Sequence, residues 1–405
     1  MSYRSNGCHP RHRKNRVVEN VLVMQGGGSL GAFSCGVLKA LVRENVRIDI
    51  AAGTSIGAIN AAIIAGSKSD HPETDLEDFW IELAESSFEF VPDTFSFFYD
   101  FQKMAFDYNK APSASFNAST FGVPKMFLPR WNPVYMFKDK EYFTPQNWTF
   151  FYDHTPLIKT LDKYIDYRKL SPDTNKRTTN CSIRLIVTSV NVLTAEPLIF
   201  DSAKIPIEAK HLLASSGYPN YGFPWTEVEN GVFAWDGSLL SNTPVREVIS
   251  ASPRNDKHIF IVENYPREID RLPSNMTEVF DRSKDIMFCD KTKHSLQMSK
   301  IITRQIQLIE KLYDFFEKSD KTALADSAEQ EKIKKEYNSL VSNHGAEIHS
   351  VTRITRNRLG TPNISKNADF SIRTIKGLIS QGERKTLRSI KKFKENKAHN
   401  YGPKL

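Results

Sequence analysis

A serine between two glycines lies at the junction of a strand-like run and a stretch of small residues. The motif is Gly53-Thr54-Ser55-Ile56-Gly57, preceded by Ile48–Ala52 and followed by Ala58–Ala62. A G-x-S-x-G sequence at a strand-to-helix junction is typical of a nucleophile elbow, where the turn is so sharp that only small neighbours fit and the hydroxyl is exposed to a substrate carbonyl. The pattern predicts an α/β fold with Ser55 as a nucleophile.

A glycine-rich loop precedes this serine. Gly26-Gly27-Gly28-Ser29-Leu30-Gly31 follows an apolar run, and Gly31 lies 24 residues before Ser55. Glycines adopt backbone angles that other residues avoid, and they have no side chains to block an approach. We therefore predict that the N–H groups of Gly26, Gly27 and Gly28 form an oxyanion hole, assisted by the positive end of a helix that begins near Ser29.

An aspartate far downstream is the candidate base. Asp236-Gly237 follows the strand-like run Val232–Trp235. A carboxylate with an ordinary pKa of about 3.9 is a weak base at pH 7. Partial burial would raise its pKa, and the field of the oxyanion hole would make the Ser55 hydroxyl a better acid. We predict that Asp236 accepts the Ser55 proton directly.

The three elements together resemble the patatin-like phospholipase family over roughly residues 17–265. That family has a glycine-rich oxyanion loop, then G-x-S-x-G, then a D-G dipeptide that supplies the aspartate of a Ser-Asp dyad. The resemblance implies the same roles for Ser55 and Asp236. The supporting motif positions are Gly31, Gly53, Gly57 and Gly237.

Two positions depart from the family pattern. Leu30 stands where the family often has Lys or Arg, and Ser238 follows the D-G dipeptide where the family usually has Gly or Ala. The GGGxLG form of the loop, with a long aromatic insertion and a C-terminal helical extension, is most similar to a bacterial branch of the family. The leucine leaves open whether the loop meets an anionic head group.

The resemblance implies serine acyl hydrolysis of lipid esters, with a phospholipid or lysophospholipid as substrate and no metal or organic cofactor. Ser55 would attack the ester carbonyl, and water would release the fatty acid from the acyl-enzyme. An acyltransferase would use the same dyad. A non-catalytic lipid-binding protein with this fold is a further alternative.

Two other readings compete with the dyad. His211 or His258 would serve as the base of a histidine triad, although His211 breaks the Ser-Asp-His order of an α/β-hydrolase and His258 opens a buried strand. Gly26, Gly28 and Gly31 also satisfy G-x-G-x-x-G, with Asp49 near the acidic position of a dinucleotide-binding motif. Asp49 lies inside its predicted strand, which argues against a ribose contact.

Alternating strand and helix patterns predict a mixed, largely parallel sheet flanked by helices. We assign residues 17–270 to a catalytic domain and residues 271–383 to a helical C-terminal extension. Residues 88–152 contain 21 aromatic residues and no regular period, which predicts a cap inserted in the catalytic domain.

The net charge of +8 is concentrated at the two ends. Residues 1–16 hold five basic residues and no acid, and residues 383–405 hold eight basic residues and two acids. We predict basic tails at 1–16, which we expect to be disordered, and at 384–405, with peripheral contact to anionic membranes. No nucleic acid partner is expected. The four scattered cysteines and the lack of a secretory signal predict a cytoplasmic protein without disulfides or a metal site.

Overall fold

One eight-stranded sheet organises the chain, in a computed structural model that describes residues 17–87, 111–172, 182–251, 255–318, 331–333, 335–337, 347–358 and 365–401. Five strands run parallel: β1 (Val18–Met24), β2 (Ile50–Thr54), β5 (Arg184–Asn191), β9 (Asp256–Glu263) and β10 (Ile348–Thr355). Three strands are antiparallel to their neighbours: β6 (Pro197–Asp201), β7 (Thr226–Glu229) and β8 (Val232–Asp236). A separate short pair consists of β3 (Leu128–Pro129) and β4 (Tyr152–Asp153).

The strand order is β10-β9-β1-β2-β5-β8-β7, and β6 pairs with β5 outside this path. Helices flank the sheet, and their bounds are α1 Ala32–Arg43, α2 Ile56–Ala65, α3 Pro72–Ser86, α4 Ala111–Phe121, α5 Pro156–Tyr164, α6 Ala209–Ser216, α7 Val245–Ser250, α8 Met276–Phe288, α9 Lys293–Lys318 and α10 Ile372–Tyr401. The predicted α/β class, with a mixed and largely parallel sheet between helices, is confirmed.

Both faces of the sheet are covered at its centre. Along β1, Leu22 and Met24 join the larger apolar core, while Val21 and Val23 join a smaller core on the other face. All four side chains are inaccessible to solvent. A strand that is buried on both faces needs a continuous apolar run instead of an alternating one, which explains this segment of the sequence.

Strand register brings the predicted catalytic residues together. The glycine loop follows β1 and Ser55 follows β2, and these strands are parallel neighbours, so both segments emerge at the same edge of the sheet. On the other side of β2, Thr54 pairs with Thr188 of β5, and the next residue, Ser189, pairs with Asp236 of β8. Asp236 therefore reaches the elbow from an antiparallel strand.

The predicted C-terminal extension packs into the same layers. β10 extends the sheet beside β9, and α10 packs along α1 at a very short separation. A Cβ on Gly36 would lie 1.8 Å from the Ile379 carbonyl oxygen, and one on Gly382 would lie 2.2 Å from the Phe33 carbonyl oxygen. Only glycine fits at these two positions, because any side chain would force the helices apart.

Some predicted segments lie partly outside the described residues. Residues 1–16 lie wholly outside, as do residues 88–110 of the aromatic insertion and residues 319–330, 334, 338–346 and 359–364 of the C-terminal extension. The predicted tail at 384–405 is the second half of α10 as far as Tyr401, with Thr386 and Ile390 buried. The division into domains stays a prediction. No helix among the described residues has the length and apolar composition needed to cross a membrane.

Candidate active site

Ser55 lies in a strained turn between β2 and α2. Its backbone has φ 58° and ψ −131°, a combination that non-glycine residues rarely adopt. A Cβ on Gly53 would lie 2.1 Å from the Gly57 carbonyl, and a Cβ on Gly57 would lie 2.3 Å from the Met24 carbonyl oxygen. The two glycines of the motif therefore allow α2 to start directly against the ends of β1 and β2.

A hydrogen-bond chain fixes the backbone of the turn. The Ser55 N–H donates to the Ser215 hydroxyl at 3.0 Å, and that hydroxyl donates to the Thr188 carbonyl at 2.7 Å. Ser215 is fully buried on α6. Sequence reasoning gave Ser215 no role, because its contacts span 160 and 27 residues of chain and no local pattern reports them.

Asp236 is the second component of the site. Its side chain is 1% exposed, and burial raises the pKa of the carboxyl group to about 6. Hydrogen bonds from Ser238 and from the Ser55 side chain act in the opposite direction and lower the pKa. The Ser238 N–H lies 2.7 Å from Asp236 Oδ1. A Cβ on Gly237 would lie 2.7 Å from the Thr188 carbonyl oxygen, so this glycine lets the turn pass close to β5.

The glycine loop lies against both residues. Gly27 and Gly28 have φ values of +151° and +57°, which favour glycine. A Cβ on Gly26 would lie 2.9 Å from the Ser55 Cβ, and one on Gly31 would lie 2.8 Å from Ile56 side-chain atoms. The loop is therefore packed directly on the elbow, as the oxyanion prediction requires.

The three loop amides differ in one respect from the sequence expectation. The Gly26 N–H donates to Asn242 Oδ1 at 3.0 Å, so it is occupied by the protein itself. Within the described part of the chain, the N–H groups of Gly27 and Gly28 donate to no protein acceptor, and both residues line the cavity beside Ser55. The geometry favours Gly27 and Gly28, and not Gly26, as oxyanion donors.

Ser55 and Asp236 open into a cavity of about 220 Å³. Much of its wall is aromatic, with side chains of Phe127, Tyr152, Tyr218, Phe223, Phe288 and Phe370. Phe127 packs edge-to-face with Tyr152 and with Phe223, with ring centroids 5.4 Å apart in each pair. Phe127 and Tyr152 come from the predicted aromatic insertion, so the described part of that segment does contribute to the wall. An apolar cavity with a few polar groups is the usual form of a site for a small molecule.

Two polar side chains at the cavity were not singled out from the sequence. His154 is 3% exposed and stacks on Phe223, and burial lowers the pKa of its imidazole to about 4. Lys284 lies with its amine 5.2 Å from the centre of the Tyr221 ring, and burial lowers its pKa. Neither residue belongs to a local motif, so only the fold brings them to the site.

The histidines considered for a triad lie elsewhere. The His211 Nδ1 accepts the Glu208 N–H at 2.9 Å, and its ring packs on Phe200. The His258 Nδ1 is 2.7 Å from the Ser350 hydroxyl. Neither lines the cavity that contains Ser55. Both are used in structural contacts.

The acidic residue of the dinucleotide alternative is at the wrong end of its strand. Asp49 immediately precedes β2, accepts the Asn20 N–H at 2.8 Å and pairs with Arg47 at 3.0 Å. Ligands of parallel sheets bind beyond the carboxyl ends of the strands, where the glycine loop lies. This placement does not fit a ribose contact.

Among the described residues, Asp256, Glu347 and His349 bring ligand atoms within 4.8 Å of one another. The His349 Nε2 lies 3.3 Å from Asp256 Oδ2, and Asp256 Oδ1 accepts the Glu347 N–H. None of the three lines the cavity that contains Ser55.

The family model for patatin-like phospholipases matches residues 22–249, which is more than half of the chain. The chain belongs to the patatin-like phospholipase family. The match includes the glycine loop, the elbow and Asp236, so the resemblance inferred from the motifs is confirmed at the level of the family. Membership in the patatin-like phospholipases supports lipid ester hydrolysis in general.

Individual relatives are distant or match over short segments. Lysophospholipase nte1 of Aspergillus terreus is 52% identical over 44 residues, which are 11% of this chain and 3% of that protein. The structure of VipD from Legionella pneumophila is 15% identical, with a TM-score of 0.33, over 93% of this chain and 67% of that one. The structure of the ExoU–SpcU complex of Pseudomonas aeruginosa is 13% identical, with a TM-score of 0.35, over 93% of this chain and 51% of that one. This patatin-like chain thus spans only a small part of its curated relative.

Proposed function

We propose that the chain is a serine acyl hydrolase that cleaves carboxylic ester bonds of phospholipids or lysophospholipids through a dyad of Ser55 and Asp236. One observation supports this most strongly. One largely aromatic cavity is lined by a serine in a strained turn, by a buried carboxylate and by two glycines. Among the described residues, the N–H groups of these two glycines have no hydrogen-bond acceptor.

The proposed reaction has two steps. In the first, Ser55 Oγ attacks the ester carbonyl, its proton passes to Asp236, and the N–H groups of Gly27 and Gly28 donate to the oxyanion. Asp236 then gives the proton to the leaving alcohol, and an acyl-enzyme remains. In the second, water loses a proton to Asp236 and attacks the acyl-enzyme. Asp236 then returns the proton to Ser55 Oγ as the fatty acid leaves, which restores the serine hydroxyl and the carboxylate.

The electrostatic environment suits a direct proton transfer. A carboxylate whose pKa is about 6 is a stronger base than an ordinary aspartate and is still largely ionised at pH 7. Burial is the cause, since the charged form loses the solvation it has in water.

A fluorophosphonate probe tests the proposal directly. We expect one covalent adduct, mapped to Ser55 by mass spectrometry, and no adduct in Ser55→Ala. An unmodified Ser55 in folded protein that binds phospholipid vesicles would instead favour the non-catalytic lipid-binding alternative. Product analysis with a dilute lysolipid acceptor in water separates hydrolysis from acyl transfer, because a hydrolase releases mainly free fatty acid whereas a transferase yields mainly a new ester.

The pH profile of the reaction follows from the state of Asp236. The base must be ionised, and its pKa is about 6. We therefore expect kcat/KM for a short nitrophenyl ester to rise about tenfold per pH unit below pH 6 and to level off above it. Measurement from pH 4.5 to 8.5 checks this. If kcat/KM instead rose with an apparent pKa near 4, the base could not be Asp236 in its buried environment.

The aromatic wall predicts a preference among acyl chains. Phe223 packs against Tyr152 and Phe127 in the cavity, whereas Phe143, which lies with those two residues in the predicted insertion, is 73% exposed and does not line the cavity. We expect Phe223→Ala to reduce kcat/KM for long-chain esters at least about tenfold more than for acetate esters, because each buried methylene contributes about 0.8 kcal/mol.

Phe143→Ala is the matched control, and it should leave the chain-length preference unchanged. An equal fall for long and short esters in Phe223→Ala, together with a lower melting temperature, would assign Phe223 a structural role only. The cluster Phe97-Phe98, which the sequence also marks as part of the cap, lies outside the described residues.

We further propose that the basic ends of the chain contact anionic membrane surfaces. The support is the charge of the sequence, with five basic residues and no acid in residues 1–16.

A further inference from the structure

A short helical turn from the C-terminal part of the chain lies directly on the glycine loop. Lys366–Ala368 forms one turn of 3-10 helix. A Cβ on Gly28 would lie 2.3 Å from the Asn367 carbonyl oxygen, so the two backbones are in close contact. The Asn367 side chain donates to the Gly27 carbonyl at 2.9 Å and contacts the Tyr265 hydroxyl.

The turn is anchored by a buried ion pair. Lys366 is 1% exposed, and its Nζ lies 2.6 Å from Asp285 Oδ1 and 3.0 Å from Asp281 Oδ1, both on α8. The Lys366 carbonyl in turn accepts the Ser29 hydroxyl at 3.0 Å. A lysine buried this deeply cannot leave its partners without a large loss of stability, so the turn is held at a fixed position against the loop.

A second asparagine, Asn264, contacts the peptide bond that joins Gly26 to Gly27. Asn264 follows β9 and is fully buried. Its Nδ2 lies 3.1 Å from the Gly26 carbonyl oxygen and 3.0 Å from the Gln25 carbonyl oxygen. Two asparagine side chains therefore hold the carbonyls of Gly26 and Gly27.

The planarity of the peptide bond converts these contacts into control of the N–H groups. In a trans peptide, the carbonyl of one residue and the N–H of the next point in opposite directions. Fixing the Gly26 carbonyl therefore fixes the direction of the Gly27 N–H, and fixing the Gly27 carbonyl fixes that of the Gly28 N–H. Glycine needs such fixing, since it has access to a wider range of backbone angles than any other residue.

We propose that Asn264 and Asn367 are positioning residues, which orient the Gly27 and Gly28 N–H groups toward the oxyanion. The inference rests on the proposed hydrolysis. Both asparagines lie beyond the range 22–249 that the family model matches. The structure thus assigns part of the oxyanion machinery to the C-terminal region of this chain.

The test compares Asn367→Ala and Asn367→Asp with wild type on a short nitrophenyl ester. Alanine removes the side-chain donor to the Gly27 carbonyl and leaves the Leu30 N–H, which donates to the same oxygen at 3.2 Å. Aspartate places a carboxylate oxygen opposite the carbonyl in nearly the same volume. We expect kcat to fall about 10- to 100-fold and KM to change less than about threefold, because a small displacement of oxyanion donors affects the transition state and not ground-state binding. The rate of fluorophosphonate labelling should fall in parallel, since the tetrahedral adduct needs the same donors.

Thr374→Ala is the matched control. Thr374 donates to Asp369 at 2.8 Å, and among the described residues it has no hydrogen bond to the glycine loop. Its loss should lower the melting temperature slightly and leave kcat and the labelling rate unchanged. Asn264→Ala should behave like Asn367→Ala.

Three outcomes overturn the inference. Folded Asn367 variants with wild-type kcat would show that the loop needs no positioning by this side chain. A rise in KM alone would make Asn367 a substrate contact. Undiminished hydrolysis by Ser55→Ala would remove the proposed function and this inference with it, whereas an inactive Ser55→Ala beside unaffected Asn367 variants would remove only the positioning role.

Discussion

Replacing Ser55 by alanine is expected to lower kcat/KM for a short nitrophenyl ester by at least about a thousandfold, since the nucleophile of an acyl-enzyme mechanism has no substitute in the site. Asp236→Asn should cause a loss of similar size. Asparagine has the same shape and keeps the contact with the Ser238 N–H, but it cannot accept the serine proton. Steady-state kinetics on purified variants, with melting curves, checks both expectations.

The stability of Asp236→Asn gives an independent readout. The pKa of this buried carboxyl is raised to about 6 in the folded protein. Above pH 6 Asp236 is ionised in the folded protein, which is unfavourable because water solvates this charge better in the unfolded state. Below pH 4 the carboxyl group is mostly protonated in both states, and this loss of stability is absent. We expect Asp236→Asn to melt at a temperature equal to or above that of wild type at pH 8, and this advantage should disappear as the pH falls toward 4.

Histidine variants separate the dyad from a triad. His211→Ala and His258→Ala should retain most activity, because both rings are used in contacts away from the cavity. His154→Ala is the sharper test, since its ring is buried at the cavity itself. If folded His154→Ala no longer showed the rise of kcat/KM near pH 6, that result would contradict the role proposed for Asp236.

The second large effect is expected at Gly28. Gly28→Ala combines a positive φ of +57° with a Cβ that would lie 2.3 Å from the Asn367 carbonyl oxygen. The loop must move away, and the oxyanion would lose at least one donor. Loss of one such donor in other enzymes lowers kcat by about 10²–10³-fold, and we expect the same range here.

Gly231→Ala is the matched control for backbone strain. Gly231 also has a positive φ, +76°, but a Cβ there would meet nothing within 4 Å. This variant should lose roughly 1 kcal/mol of stability and no activity. If Gly28→Ala kept the wild-type kcat, the N–H groups of this loop could not be the oxyanion donors.

The components with local signatures were predictable from the sequence. The glycines around Ser55 are required by clashes with the immediately neighbouring strand and helix, so the motif itself reports the turn. The α/β class followed from alternating patterns, and the family from three motifs taken together. The surroundings of Gly26 were not predictable, because its N–H is occupied by Asn242, which is 216 residues away.

Positions such as Asn264, His154 and Lys284 have no pattern that marks them. A single buried asparagine or histidine is common in any sequence, and its role depends on the elements that pack beside it. The C-terminal region was predicted as a helical extension. Its turn at Lys366–Ala368 lies within a polar stretch that gives no indication of contact with the glycine loop.

Gly27 and Asn367 are separated by 340 residues and yet share a hydrogen bond. Contacts between such distant segments close large loops and tend to form late in folding. During synthesis, residues 26–28 and the elbow leave the ribosome long before Asn367, whose side chain donates to the Gly27 carbonyl. A nascent chain would therefore contain Ser55 long before Asn367 reaches the glycine loop, and the proposed hydrolysis would depend on the packing of the Lys366–Ala368 turn against that loop.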